Sequence, residues 1–113
     1  MLWLDDTEKF ETIYFHLKLL AETIDSETYP FTKMIVENHL TRKEYEDLMQ
    51  LIAKLHAEYI VQKARGYLDF SPLLVHFAGM LNIKLDPDAA IYALKQEGYY
   101  SSLMDEFVNV LKR

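Results

Sequence analysis

Apolar side chains recur along this chain every three or four residues, the period of helices that bury one face. Over about 6–24, Phe10, Ile13, Tyr14, Leu17, Leu20, Ala21 and Ile24 fall on one stripe. Asp5 and Glu8 are placed to cap its start and to meet the positive end of the helix dipole. Asp25-Ser26-Glu27-Thr28 is a polar break. Pro30, whose missing N–H costs nothing in a first turn, opens a short helix over about 30–38 with Phe31, Met34 and Ile35 on its apolar side. Thr41-Arg42-Lys43-Glu44 then reads as a capping box, in which hydroxyl and carboxylate each accept from the other residue's backbone N–H. From that box the pattern runs unbroken to about Arg65. Tyr45, Leu48, Met49, Ile52, Leu55, His56, Tyr59 and Lys63 mark its main stripe, and Leu51, Ala53, Ile60, Val61 and Ala64 widen it. Gly66 stops it in the left-handed conformation glycine adopts cheaply, with Tyr67 placed to fold back on Val61.

Ser71-Pro72 starts a further helix over about 71–81, carrying Leu73, Leu74, Phe77, Ala78 and Leu81. Gly79 inside it weakens the helix by roughly 1 kcal/mol relative to alanine unless a neighbour packs closely there. Asp86-Pro87 repeats the cap-then-proline start and leads through Ala90, Ile91 and Leu94 to Gly98, where Leu94 and Tyr99 have Schellman spacing. Ser102 with Asp105 is expected to cap a last helix bearing Leu103, Met104, Phe107, Val108 and Leu111. No window alternates as a strand does. The expected fold is all-α: one domain over 1–113, with one long central helix and about five shorter ones.

That central helix, about 24 residues, would be about 36 Å long, whereas a compact domain of about 100 residues has a radius of gyration near 13 Å. It is also apolar beyond one seam, and a helix apolar on several sides must be covered on several sides. The expectation is therefore a homo-oligomer with helices packed across copies. The opposing expectation is a monomer whose short helices wrap the long one.

Charge narrows the partners. The net charge is −6 and no basic run exceeds Arg42-Lys43, which disfavours nucleic acid and anionic lipid, whose binding draws on concentrated positive charge. The absence of cysteine excludes disulfides and thiolate chemistry. No apolar run reaches the roughly 20 residues of a membrane span. The apolar start Met1-Leu2-Trp3-Leu4 meets Asp5 and Asp6 at once, without the basic and longer apolar regions of a signal peptide. The protein is expected to be soluble and cytoplasmic.

Candidate chemistry is sparse. A helical zinc pair needs histidines about four residues apart, and His16, His39, His56 and His76 are far more widely spaced. The residues three before them are Ile13, Val36, Ala53 and Leu73, so the Glu-x-x-His repeat of di-iron bundles is missing too. The acid pairs Asp5/Asp6 and Glu46/Asp47 lie near helix starts, where solvated acids are ordinary. Catalytic carboxylates need a pocket that drives their pKa values apart. Gly66, Gly79 and Gly98 are isolated and form no phosphate loop. Tyr67, Phe70, Tyr92, Tyr99 and Tyr100 gather around turns, suiting either turn packing or an interface. No catalytic, cofactor-binding or metal-binding residue is assigned, and no cofactor.

The stretch from Gln62 to Leu85 (QKARGYLDFSPLLVHFAGMLNIKL) resembles the uncharacterised YhaI-like family of Bacillus-type bacteria. Tyr29-Pro30-Phe31 and the stretch from Ala93 to Met104 (ALKQEGYYSSLM) fit the same pattern, so the likeness runs from about residue 9 to the C-terminus. The resemblance implies no catalytic residue. It implies a multihelical subunit in an intertwined oligomer, a trimer, and a Gly79 that lets another helix approach. The expected function is that of a non-enzymatic, self-associating adaptor or regulatory protein. Its partners would be copies of itself and another cytosolic protein, not nucleic acid or membrane. The alternative is a small-molecule binder or enzyme with its pocket between subunits.

Overall fold

A computed structural model describes residues 5–113; the apolar start at 1–4 lies outside the described residues. Six helices follow one another without a strand among these residues: α1 (Asp6–Thr23), α2 (Pro30–Glu37), α3 (Arg42–Ala64), α4 (Ser71–Met80), α5 (Pro87–Glu97) and α6 (Ser101–Leu111). None is long and apolar enough to cross a membrane.

Local chemistry sets most of the boundaries. Asp5 accepts from the Glu8 N–H at 2.7 Å and starts α1. The capping box of α3 is complete: Glu44 N donates to Thr41 Oγ1 at 3.1 Å, and Thr41 N donates to Glu44 Oε1 at 2.9 Å. Asp86 caps α5, with Pro87 in its first turn. Gly98 closes that helix at φ 93°. There Tyr99 N donates to Leu94 O at 2.9 Å and Gly98 N to Lys95 O at 3.1 Å, the paired bonds of a Schellman stop. Gly66 ends α3 in the same way at φ 87°.

α2 begins at Pro30 as expected but is capped from a distance, and the start of α6 differs from expectation. α2 has no capping side chain of its own. Instead Glu97, at the far end of α5, accepts from Thr32 N at 2.9 Å and from Thr32 Oγ1 at 2.7 Å, so an acid distant in sequence serves the positive end of α2. The last helix begins at Ser101, not from a Ser102–Asp105 cap. The chain passes from the Gly98 stop through Tyr100 at φ 49°, whose ring packs 4.9 Å from His56. Asp105 pairs with Lys95 at 3.2 Å instead. Ring packing and a cross-helix ion pair decide this turn in place of local capping.

The core lies along one side of α3. Leu48, Ile52, Leu55 and Tyr59 are buried against Phe31 of α2, Leu73 and Phe77 of α4, Ile91 and Leu94 of α5, and Leu103 and Phe107 of α6. Phe70 meets Tyr59 edge-on at 4.9 Å, and Phe77 meets Phe107 at 5.7 Å. Every buried side chain among the described residues is apolar apart from the Tyr59 hydroxyl, which Lys63 Nζ reaches at 3.3 Å.

α1 stands apart from this core: none of its residues is buried. The molecule measures 64 × 25 × 19 Å with a radius of gyration of 17.6 Å, well above the roughly 13 Å of a compact domain of this size. The sequence pattern pointed to α3 as the element its neighbours cannot cover. The barest helix is α1. A stripe fixes which side of a helix is apolar, and tertiary placement decides whether anything lies over it.

Candidate interaction surface

α1 carries Phe10, Ile13, Tyr14, Leu17 and Leu20 along one side and Phe15 with Leu19 on another, all largely exposed. Phe10 keeps 74% of its surface in solvent, Leu20 61% and Leu17 54%. A large apolar side chain exposed to that degree leaves on the order of 100 Å² in water. One side of the helix therefore presents roughly 500 Å² of apolar surface, at the upper end of the largest patch of a usual monomer, and Phe15 with Leu19 add about 200 Å² on the other side.

The break that follows α1 is tied down. Asp25 organises the break after it, accepting from Thr28 Oγ1 at 2.5 Å and from Glu27 N at 2.9 Å. These bonds, the Thr28 hydroxyl foremost, hold its carboxyl below the ordinary range. Gln96 Nε2 donates to Glu27 O at 2.7 Å and fastens the break to α5. α1 meets the end of α2 and the turn after it, where Tyr14 and His39 rings lie 6.2 Å apart. The shallow groove there, about 300 Å³, is lined by Leu17, Lys18 and Ala21 of α1 and by Val36 and His39 beyond it.

A second bare face lies on α3, turned away from the core. Ala53, Ala57, Ile60, Val61 and Ala64 recur at helical spacing and are all exposed. Ala53, Ile60, Val61 and Ala64 belong to the widened stripe read from the sequence, Ala57 extends it, and Leu51 of that stripe packs against the core instead. α4 adds a shorter bare edge with Val75 and Met80, ending at Ile83 in the following turn. Gly79 sits on that edge, and no atom lies within 4 Å of where a side chain would begin. Nothing within the chain exploits its small size.

The carboxylates whose pKa values are shifted are engaged in structure. Glu44 accepts from Lys84 Nζ at 2.6 Å, from Thr41 N at 2.9 Å and from Asn82 Nδ2 at 2.7 Å. The lysine bond above all holds its pKa at about 2. That node ties the start of α3 to the α4–α5 turn. Asp69 accepts from Ser71 Oγ and N and from Arg113, the hydroxyl foremost, and is likewise depressed, which fastens the C-terminus to the start of α4. Burial pushes the Tyr99 hydroxyl up, with Tyr45 adding to it.

The residues weighed for chemistry stay scattered. His16 and His39 are exposed, His56 packs on Tyr100, and His76 is half-buried on α4. No group of three or more potential metal ligands is gathered among the described residues. Asp5 caps α1, and Asp47 pairs with Lys43 at 3.2 Å. Of the turn aromatics, Phe70 is buried, Tyr99 packs 5.5 Å from Phe31 and Tyr100 packs on His56, while Tyr67 and Tyr92 remain half-exposed. Turn packing accounts for three of the five. The long-range acid Glu97 was missed by sequence reasoning, since nothing local marks it as a cap.

Residues 4–112 match a protein family described as of unknown function, DUF1878. The match begins ahead of residue 9, where the likeness noted in the sequence started, and so takes in the whole of α1. This all-helical chain belongs to the DUF1878 family.

Proposed function

We propose that the chain is a self-associating helical subunit, a non-enzymatic adaptor or regulatory protein of the cytoplasm. One observation carries the reading: an 18-residue helix with a firmly fastened base and no buried residue. Leaving that much apolar surface in water is unfavourable, and other copies of the chain are always at hand to cover it. The titratable side chains add support, because those with shifted pKa values are spent on caps and ties between helices. Three copies is the assembly expected from the family likeness. Light scattering at micromolar concentration tests it: the reading requires a multiple of 13.4 kDa, and a mass of one chain at all concentrations sinks it. The adaptor role is tested by affinity capture from a cytoplasmic extract, where recovery of the bait alone counts against it.

A second reading, a small-molecule site between copies, is favoured by the groove beside Tyr14 and His39, which a neighbouring chain could roof. A thermal-shift panel of metals and metabolites separates the two, since a ligand that binds only the folded form raises the melting temperature. Silence across the panel favours the adaptor.

A further inference from the structure

The self-association proposed above leaves open where α1 goes. We infer that α1 of one copy lies antiparallel along the second face of α3 in another copy. Shape is the first reason. The second face of α3 sets the small Ala53, Ala57 and Ala64 around Ile60 and Val61, leaving gaps for bulky side chains, and α1 presents Phe10, Leu17 and Leu20 at nearly the same spacing as the alanines. Run antiparallel with Phe10 opposite Ala64, Leu17 falls opposite Ala57, Tyr14 meets Ile60, and Leu20 lies within one residue of Ala53. Interdigitation of large with small is how helix faces reach interior packing density.

Length is the second reason. α1 has 18 residues and α3 has 23, about 27 and 35 Å at 1.5 Å per residue. The bare edge of α4, with 10 residues, is only about 15 Å and would leave much of α1 in water.

Charge sets the direction. The N-terminal half of α1 holds Asp6, Glu8 and Glu11, with Asp5 at its cap, against Lys9 alone. The C-terminal half of α3 holds Lys54 and Lys63, with Arg65 just beyond, against Glu58 alone. Antiparallel packing sets these ends together and opposes the two helix dipoles. A parallel arrangement would bring the acids of α1 against the first turns of α3, where Arg42 and Lys43 are outnumbered by Glu44, Glu46 and Asp47 and no net positive charge is offered. The contact joins two different patches, so it propagates from copy to copy and closes into a ring or a reciprocal pair.

The chain contains no cysteine, so placed thiols report contacts without background. Leu17→Cys and Ala57→Cys chains, each with a single thiol at an exposed position, are mixed, allowed to exchange subunits and oxidised. The expected product is a mixed disulfide dimer well in excess of either chain's product with itself. A Leu17→Cys chain that couples preferentially to itself, or to Val75→Cys on the α4 edge, overturns the placement. So does an oligomer of confirmed mass in which the mixed product fails to form, and in each of these cases self-association stands. A parent chain of monomeric mass overturns both the placement and the reading beneath it.

Discussion

Replacing Phe10, Leu17 and Leu20 with glutamine should disperse the assembly without disturbing the subunit. Full burial of a leucine or phenylalanine is worth roughly 1.5–3 kcal/mol. These three expose 74%, 54% and 61% of their surface in the single subunit, so covering what remains contributes about 1–2 kcal/mol each. Together that is about 3–6 kcal/mol per docking site, and at 1.4 kcal/mol per tenfold the dissociation constant should weaken between about 100- and 10,000-fold. Within the subunit the cost is small, since glutamine matches leucine in helix propensity and exposed substitutions fall within about 0.5 kcal/mol. Sedimentation velocity over a dilution series reads the first effect, and far-ultraviolet circular dichroism reads the second. An unchanged dissociation constant refutes the reasoning. Collapse of helicity would show instead that α1 supports its own subunit in a way its exposure denies.

Three further outcomes follow from the packing. Phe107→Ala should cost about 3–5 kcal/mol in chemical denaturation, because the ring is fully buried against Phe77; a loss below about 1 kcal/mol would mean the core lies elsewhere. Gly98→Ala should lower stability by about 1–2 kcal/mol through the left-handed backbone at that stop, measured by the denaturation midpoint. Glu44→Gln should be less stable than the parent at neutral pH. Because the folded pKa of Glu44 lies at about 2, below the roughly 4.3 of a free glutamate, its contribution is present above the unfolded value and is lost as pH falls toward the folded one. Melting temperatures of the two chains should thus converge between about pH 4 and pH 2, and a gap that stays constant over that range would contradict the ion pair with Lys84.

Features settled within a few residues were legible from the sequence. The Thr41–Glu44 box, the Asp86-Pro87 start and the stops at Gly66 and Gly98 each depend on one side chain meeting a backbone group nearby, and each lies where the pattern put it. What depends on distant partners was not legible. Glu97 caps α2 from the end of α5, and Tyr100 enters α6 at positive φ because His56 receives its ring. The surplus apolar surface was recognised on α3, whose second face is indeed bare. The larger surplus on α1 was not, because Phe10 to Leu20 read as an ordinary amphipathic stripe and periodicity is blind to what, if anything, lies opposite.

Hydrogen exchange along α1 at micromolar concentration interrogates the matter most directly. If copies cover one another, amides from Phe10 to Leu20 should be protected comparably to those from Ile52 to Tyr59 and should lose that protection on dilution. Amides of α1 that exchange at nearly free-peptide rates at every concentration, beside a protected α3, would contradict it.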